Sequence, residues 1–282
     1  MTEKIVELCQ ALAKNSRKLI KLIERYDNLR ENIVDNAYLL EKKQQEIAKV
    51  IELVPAGEVR DSLGTWLNAQ KNDLTKAKED FRFNFGQELK MLSHNDGKEL
   101  RGQYPLLRIG FFTLKLDFEF GEAALYFGPE IEKLKSKMTL QPKLIWETIA
   151  RYDNELRDFK FSVEETFSDL ARAYKNRLAL TNKSMGEKLL ITEVMHEYVS
   201  LKQSKQFIID PRRENFREYP RVKLSYLLFR LKNSDLYQRG LRLHVATFDA
   251  TTNKLHSIWV PDNEEGDGTY YSYISFEKVQ NT

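Results

Sequence analysis

The sequence predicts an α+β protein in which a long antiparallel helical hairpin, or coiled coil, precedes a mixed α/β domain with β-hairpins and a winged-helix-like module. Three observations indicate this class. A seven-residue apolar repeat covers the first 54 residues, the apolar period changes to two after Leu106, and a basic segment follows the last predicted helices. The expected domains are 1–98 for the coiled-coil hairpin and 99–282 for the α+β domain, with 106–138 as a β-hairpin plus helix and 142–282 as the helical region with C-terminal strands.

The N-terminal repeat places an apolar residue at every seventh position from Ile5 to Val54. An apolar repeat averaging 3.5 residues keeps one seam towards a partner helix, so one continuous coiled-coil helix is predicted over this segment. Polar residues at the second seam position, Asn15, Asn36 and Lys43, are expected to lower stability and to specify register. The residues predicted to mediate oligomerisation are Ile5, Leu12, Leu19, Tyr26, Ile33, Leu40 and Ile47.

A second helix is predicted from about residue 59 to 93. Pro55 lacks a backbone donor and Gly57 permits a turn, so the first helix is expected to end before them. The short connection favours an antiparallel hairpin. Because the second helix is shorter, part of the first lacks an internal partner, and we expect self-association or a partner protein to cover it.

Alternating apolar and polar residues after Leu106 predict a β-hairpin. Gly121 and Glu122 suit a two-residue type II′ turn, which pairs Leu116 with Phe127 and brings apolar residues together. The segment EIEKLKSK that follows is predicted to be a short helix. The residues expected on the apolar face of the first strand are Phe112, Leu114, Leu116, Phe118 and Phe120.

Three helices and four strands are expected in the rest of the chain. Ser162 and Glu165 have the spacing of a capping box at the start of the second of these helices. The helices are predicted at about 142–158, 162–180 and 185–203. The strands are predicted at 222–231, 241–250, 254–260 and 270–279, with TTNK closing a hairpin between the second and third.

Charge is distributed unevenly along the C-terminal part. The net charge of +3 for the whole chain is too small to predict nucleic-acid binding. Residues 202–242, however, contain eleven Lys or Arg against four Asp or Glu, and 243–282 contain two against six. A basic block between helices and strands is typical of a winged-helix module, where flanking basic residues hold phosphates. DNA contact is predicted through Arg212, Arg213, Arg217, Arg221 and Lys223, with Lys202, Lys205, Arg239 and Arg242 extending the patch.

Two other interpretations of these basic residues remain open. They would also suit an acidic protein partner, or pairing with the chain's own acidic loop, PDNEEGDG. The third predicted helix carries Glu187, Glu193 and Glu197, which would repel DNA along part of its length. The choice between DNA, RNA and neither is left open.

Enzyme motifs are mostly absent from the sequence. It contains neither GxGxxG nor GxxxxGK[ST], so no common nucleotide cradle is predicted, and no cofactor is expected. Asp117 and Glu119 on one strand face would be able to hold Mg²⁺, as in metal-dependent nucleases. The following strand, AALYF, supplies no further acid or lysine, so a solvated strand face is preferred and no catalytic or metal-binding residue is assigned.

The expected location is cytoplasmic. The N-terminus is charged throughout and lacks the apolar core of a signal peptide. No apolar run approaches the roughly 20 residues that cross a bilayer. Cys9 is the one cysteine, which excludes an intramolecular disulfide and fits a reducing compartment.

In outline, a coiled coil that leads into a compact α/β domain is similar to accessory subunits of bacterial ATPase or nuclease complexes, including antiviral defence systems. This resemblance is one of architecture and rests on no motif. It implies a non-enzymatic cytosolic assembly subunit that oligomerises through the coiled coil and contacts nucleic acid through the basic patch. The alternatives are a pure protein–protein adaptor and a metal-dependent nuclease subunit.

Overall fold

A computed structural model describes residues 2–130 and 132–277. Long N-terminal helices are followed by antiparallel sheets and further helices, so the predicted α+β class is confirmed. The chain divides into two compact units. The first contains the described residues up to Asn95 together with 116–123 and 137–145, and the second contains 96–115, 124–136 and the described residues from Trp146 onward.

Two helices occupy the segment that was predicted to be one. Helix α1 spans Thr2–Arg30 and α2 spans Ala37–Ile51. The turn between them is stabilised by the Asn36 side-chain amide, which donates to the carbonyl oxygen of Leu29 at 2.8 Å. The same carbonyl oxygen, in the last turn of α1, also accepts the backbone amide of Asn32 at 3.4 Å. The continuous helix was therefore a wrong prediction, because Asn and Asp between residues 31 and 36 favour a turn that the heptad count ignores.

The second predicted helix is confirmed as α3, Glu58–Asn95. Its residue Trp66 packs edge-on against Tyr26 of α1, with ring centroids 5.6 Å apart. Lys78 of α3 forms an ion pair with Glu41 of α2 at 2.8 Å. This packing buries some of the heptad residues and leaves others exposed. Leu19, Tyr26, Leu40 and Ile47 are buried, Ile33 is half-buried, and Ile5 and Leu12 are exposed.

A five-stranded sheet follows α3, with its strands in sequential order. The first strand pairs antiparallel with the second, and the second pairs antiparallel with the third. The strands are β1 Leu100–Gln103, β2 Leu106–Ile109, β3 Phe112–Asp117, β4 Glu122–Phe127 and β5 Glu132–Thr139.

The predicted β-hairpin forms, but with a longer turn. Four residues, 118–121, join β3 to β4 instead of two. As a result Phe118 lies beyond the end of β3 and Phe120 is exposed. In the first unit, Phe118 lies 5.7 Å from Tyr38 between ring centroids, beneath the guanidinium of Arg82.

The predicted short helix after this hairpin is wrong, because residues 132–139 form strand β5. Residue 131 lies outside the described residues. An edge strand pairs on one side, and lysines protect its open side from aggregation. The charged sequence of the edge strand β5 therefore resembles that of a short exposed helix.

The helices of the second half are partly as predicted. Helix α4, Pro142–Arg157, and helix α5, Val163–Leu180, are confirmed. The Ser162 hydroxyl caps α5 by accepting the amide of Glu165 at 3.0 Å, as the capping spacing predicts. The third helix begins later than expected, as α6, Ile191–Leu201, after the two-residue strand β6, Leu189–Leu190.

The predicted strand at 222–231 is instead helix α8, Arg221–Lys232. All side chains from Leu224 to Phe229 are buried, and Ser225 donates to the carbonyl oxygen of Trp259 at 2.5 Å. A short apolar run buried on all sides has the same pattern in a helix and in a strand, which is why periodicity misassigned it.

A second sheet contains the C-terminal strands, β7 Leu241–Val245, β8 Ile258–Pro261 and β9 Gly268–Phe276. Its order is β6-β9-β7, and β8 also pairs with β9. The predicted hairpin between the second and third C-terminal strands is therefore wrong. Helix α9, Phe248–Thr251, lies between β7 and β8, and both strands pair with β9. The predicted end of the last strand, residues 278–279, lies outside the described residues.

Candidate nucleic-acid interface

The predicted basic patch centres on one closed loop, residues 203–217, which we call the basic loop. It contains the short helix α7, Lys205–Ile209, and a 3₁₀ turn, Arg213–Asn215. Gln203 closes it with two hydrogen bonds to Arg217. The Gln203 amide nitrogen donates to the Arg217 carbonyl at 3.1 Å, and its oxygen accepts the Arg217 amide at 2.9 Å. The two ends of the loop are therefore joined by hydrogen bonds between the Gln203 side chain and the Arg217 backbone.

Contacts inside the basic loop hold its shape. The Phe207 and Phe216 rings pack edge to face with centroids 5.4 Å apart. The Asn215 side chain donates to the carbonyl oxygen of Asp210 at 2.9 Å, and the Ser204 hydroxyl caps α7 by accepting the amide of Phe207. Aromatic packing and satisfied backbone groups order the loop without a strand or long helix.

The cations of this loop are exposed. Arg212 pairs with Asp210 at 2.9 Å, and the Arg217 guanidinium lies 5.6 Å from the ring centre of Tyr219. Within the part of the chain that the structure describes, the side chains of Lys205 and Arg213 have no acidic partner within ion-pair distance. The exposed side chains of Lys205 and Arg213 can therefore approach a phosphate without breaking an internal ion pair.

Three residues of the predicted patch are instead bound within the fold. Lys202 donates to Glu165 at 2.6 Å and to Asp169 at 2.9 Å. Burial lowers the pKa of Lys202, but these two hydrogen bonds outweigh it and the pKa is raised above its ordinary value. Arg221 pairs with Glu132 at 2.7 Å, and Arg242 pairs with Glu277 at 3.0 Å. A phosphate contact from any of them would compete with an existing ion pair.

The last two residues of the predicted patch are Lys223 and Arg239. The Lys223 ammonium is 4.9 Å from the ring centre of Phe159 and is half-buried. Arg239 is exposed near Glu164. The pKa of Glu164 is lowered by its own backbone amide and the Ser162 hydroxyl, with a smaller contribution from Arg239.

The acidic loop between β8 and β9 binds basic residues outside the basic loop. Glu264 pairs with Arg157 at 2.8 Å, and Asp262 pairs with Lys232. In residues 2–130 and 132–277, no ion pair links this acidic loop to Arg212, Arg213, Arg217 or Arg221. Internal neutralisation by the acidic loop therefore does not explain the exposed arginines.

The acids on helix α6 are likewise engaged. Glu193 pairs with Arg177 of α5 at 3.1 Å, and Glu197 accepts the side-chain amide of Asn176 at 2.9 Å. Glu187, before the helix, accepts the backbone amide of Ser184. These contacts direct the carboxylates of α6 towards α5, and they reduce the repulsion that the sequence alone suggests.

The acidic strand face has a structural role in the turn after β3. One carboxylate oxygen of Asp117 accepts the amides of Glu119 and Phe120 at 3.2 and 3.1 Å. Lys115 pairs with Glu130 at 2.7 Å. Among the described residues, no group of three or more His, Cys, Asp or Glu is placed to hold a metal ion.

One feature of the basic loop was missed from the sequence. Ile208 and Ile209 are 72% and 84% exposed beside the arginines. Two adjacent isoleucines before an Asp-Pro pair are the signal that could have indicated it, since a helix ending at that point cannot bury both. The basic loop thus combines positive charge with an exposed apolar tip.

Comparisons with family models, curated proteins and solved structures found no match. Within the described residues, no helix combines the length and apolar character needed to cross a bilayer. Among the described residues, two features bear on function: the basic loop and the exposed part of α1.

Proposed function

We propose that this protein is a non-enzymatic assembly subunit of the cytoplasm that self-associates through an N-terminal coiled coil and contacts nucleic acid through the basic loop. The observation that carries the proposal is the exposure of Lys205, Arg212, Arg213 and Arg217 on one ordered loop. Lysines and arginines that neutralise phosphates release condensed counterions, which supplies affinity without base-specific contacts.

The order of elements in the second half supports a winged-helix-like interpretation. Helix α5, strand β6, helices α6 and α8, and strands β7 and β9 follow one another with the sheet order β6-β9-β7. In DNA-binding proteins of this kind, a helix reads the major groove and flanking basic groups hold the backbone. On this interpretation α6 would be the reading helix, and its Glu193 and Glu197 are bound to Arg177 and Asn176 of α5.

Because α6 carries two glutamates and no Lys or Arg, the proposed contact is to the phosphate backbone. The basic loop directly precedes α8 in the chain and carries the exposed cations. Phosphate contacts position a protein on a duplex but carry no sequence information. We therefore expect binding that depends strongly on salt and weakly on sequence. An assembly role in a bacterial ATPase or nuclease complex, including an antiviral defence complex, would suit such a subunit.

Binding of the full chain to a labelled duplex, measured by fluorescence anisotropy across a salt series, tests the proposal. The parent should lose affinity steeply between about 50 and 200 mM salt, with a slope of about 0.9 per phosphate contact. The triple variant Arg212→Glu, Arg213→Glu, Arg217→Glu should bind weakly with a shallow slope.

A matched variant controls for net charge. Lys135, Lys143 and Lys175 are exposed and lie outside the basic loop, so reversing all three changes the charge equally. This control should retain most of the binding. If the parent fails to bind at low salt, or if both triple variants behave alike, the nucleic-acid role of the loop is overturned.

A second candidate function, a pure protein–protein adaptor, is favoured by the exposed Ile208 and Ile209. Apolar residues at the centre of a charged rim are typical of protein interfaces. In that case, a stoichiometric partner would copurify after nuclease treatment and would be lost in an Ile208→Ser, Ile209→Ser variant. Retention of that partner by the variant would exclude the loop tip as its docking site.

A further inference from the structure

The end of helix α7 presents apolar side chains beside the cations of the basic loop. Ile208 and Ile209, which end this helix, are both exposed. The residue before them, Phe207, is half-buried against the ring of Phe216. The loop therefore turns one apolar side chain of α7 inward and the next two, which we call the apolar tip, towards solvent.

The chain turns sharply after the apolar tip. The backbone amide of Arg212 donates to the carbonyl oxygen of Asp210 at 2.8 Å, across Pro211, whose ring fixes its own backbone φ. The Arg212 guanidinium pairs with the Asp210 carboxylate, and the Asn215 side chain donates to the same carbonyl oxygen. These contacts keep the arginines beside the apolar tip in one ordered turn.

The charges around the apolar tip favour an anionic partner. The basic loop contains four lysines or arginines against two acids, Asp210 and Glu214. Arg212 already pairs with Asp210, so three exposed cations remain against one glutamate. These cations are Lys205, Arg213 and Arg217. A partner that suits this surface offers negative charge on either side of apolar groups.

The minor groove of duplex DNA combines these two properties. The groove is only about 6 Å wide, so the phosphates of both strands flank the base edges on its floor. Apolar side chains that enter it between two base pairs are covered by the faces of the bases, while neighbouring cations stay close to phosphate. Contact with the outer phosphates alone would leave both isoleucines in water.

Resting on the duplex contact in the proposed function, we propose that the basic loop enters the minor groove and inserts Ile208 and Ile209 between adjacent base pairs. Inserted side chains of this kind partly unstack the base step and bend the duplex towards its major groove. Lys205 lies on the chain that enters the tip and Arg213 on the chain that leaves it. These two side chains contact phosphates on the two sides of the insertion.

The basic loop is supported for such an insertion before DNA binds. A loop that became ordered only on binding would lose affinity through the entropy of ordering. Here the Gln203 side chain already joins the two ends of the loop, and the Phe207 and Phe216 rings pack behind the apolar tip. Insertion then requires a change in the DNA but not in the loop.

Insertion makes the ease of unstacking a basis of DNA preference. Pyrimidine–purine steps kink easily, and mismatched bases lose the least when they are unpaired or unstacked. The preferred ligand of the basic loop is therefore a deformable duplex. This preference needs no base-specific hydrogen bond, and it goes beyond a contact with phosphates alone.

Two duplexes that carry the same phosphates test the preference with the full chain, by fluorescence anisotropy. Both contain about 20 base pairs, and one has two mismatched pairs at its centre. The parent should bind the mismatched duplex about tenfold more tightly, because its bases are already partly unstacked. Ile208→Ser, Ile209→Ser should bind both duplexes equally, with the salt slope of the parent because the cations remain.

A matched variant controls for the loss of exposed apolar surface. Leu53 and Val59 are exposed and lie outside the basic loop, so Leu53→Ser, Val59→Ser makes the same chemical change elsewhere. This control should retain the parental preference for the mismatched duplex. All four substituted side chains are exposed, so the urea transition of both double variants should match that of the parent.

Energy transfer between dyes at the two duplex ends measures bending. The parent should shorten the distance between the ends, and Ile208→Ser, Ile209→Ser should leave it unchanged at saturation. Replacing adenine by 2,6-diaminopurine adds an amino group in the minor groove and leaves the major-groove pattern intact. This replacement should weaken binding by the parent but not by the double isoleucine variant.

The outcomes separate this inference from the proposed function. No binding of either duplex at low salt overturns both. Salt-dependent binding with equal affinity for the two duplexes and no bend overturns the insertion and leaves the phosphate contact standing. A double isoleucine variant that retains the mismatch preference also overturns the insertion, and the exposed isoleucines would then fit the protein-adaptor alternative.

Discussion

Arg221, at the start of α8, donates from Nε to a carboxylate oxygen of Glu132 on β5 at 2.7 Å. Its other two guanidinium nitrogens donate to the carbonyl oxygens of Lys254 and Ser257, at 2.9 and 2.6 Å. One side chain thus joins α8 to β5 and to the segment before β8. An arginine predicted to hold phosphate has internal partners for all three nitrogens.

Arg221→Ala should lower the free energy of unfolding by about 2 kcal/mol, because the charged hydrogen bonds to Glu132 and the two carbonyls are lost. Urea unfolding followed by circular dichroism measures this. The matched change Arg213→Ala removes an exposed side chain and should stay within about 0.5 kcal/mol of the parent. An Arg221→Ala protein of parental stability that binds duplex poorly would contradict the structural role.

Two glycines should respond to alanine with opposite signs. Gly266 has φ +90°, and a Cβ there would lie 1.9 Å from the carbonyl oxygen of Gly110. Gly266→Ala should therefore destabilise the protein by more than about 1 kcal/mol. A Cβ on Gly64, inside α3, would meet no atom within 4 Å. Gly64→Ala should stabilise by about 0.5–1 kcal/mol, since glycine is a poor helix former. Thermal unfolding of both variants checks the pair, and equal signs would refute it.

His244 should make stability depend on pH. Its Nε2 lies 2.9 Å from the Ser275 hydroxyl on β9. Burial, and to a lesser degree the charge of Lys188, lowers the pKa of His244. The unfolded chain therefore takes up this proton first on acidification. The stability due to neutral His244 is complete above about pH 6.5 and is lost as the pH falls through the lower folded-state pKa.

Melting temperatures at about pH 7.5 and 5.5, on either side of the ordinary histidine pKa near 6.5, test this prediction. The drop between the two pH values should be smaller in His244→Gln than in the parent. His94→Gln, at an exposed position, should retain the parental drop. An identical drop in all three proteins would mean that His244 does not contribute.

Substitutions of Asp117 test whether its carboxylate stabilises a turn or binds a metal ion. Asp117→Ala should cost about 1 kcal/mol of stability, because two amides lose their acceptor, whereas Asp117→Asn keeps a side-chain oxygen and should cost less. Urea unfolding measures both. Mg²⁺- or Mn²⁺-dependent cleavage by the parent that disappears in Asp117→Asn, with stability unchanged, would instead support the nuclease alternative.

Elements with a strong local signal were predicted well from the sequence. Helices α3, α4 and α5 were expected close to their observed bounds, and the Ser162 cap forms as its spacing indicates. In each case the signal is local: a proline or capping residue at the end and a sustained helical period between. The turn between α1 and α2 was missed because an apolar heptad series can continue across a break in the helix.

Within the candidate site, the sequence identified the basic segment. It did not show which of its lysines and arginines are exposed and which are ion-paired within the fold. Lys202 and Arg221 come from the same basic stretch as Arg213, yet they are bound to Glu165 and Glu132. Those acids are far away in sequence, so no local pattern could indicate the pairing. The exposed Ile208 and Ile209 were also missed, because apolar residues are ordinarily expected inside.

By itself, the sequence determined the α+β class, the long N-terminal helices and the position of the basic segment, because composition and periodicity are properties of neighbouring residues. Tertiary structure alone decided that α8 is a buried helix, that β5 is an edge strand, and which arginines face solvent. These outcomes depend on burial and on partners distant in the chain. The exposed face of α1 combines both: its apolar repeat is visible in the sequence, but the point at which internal partners stop covering it is set by packing.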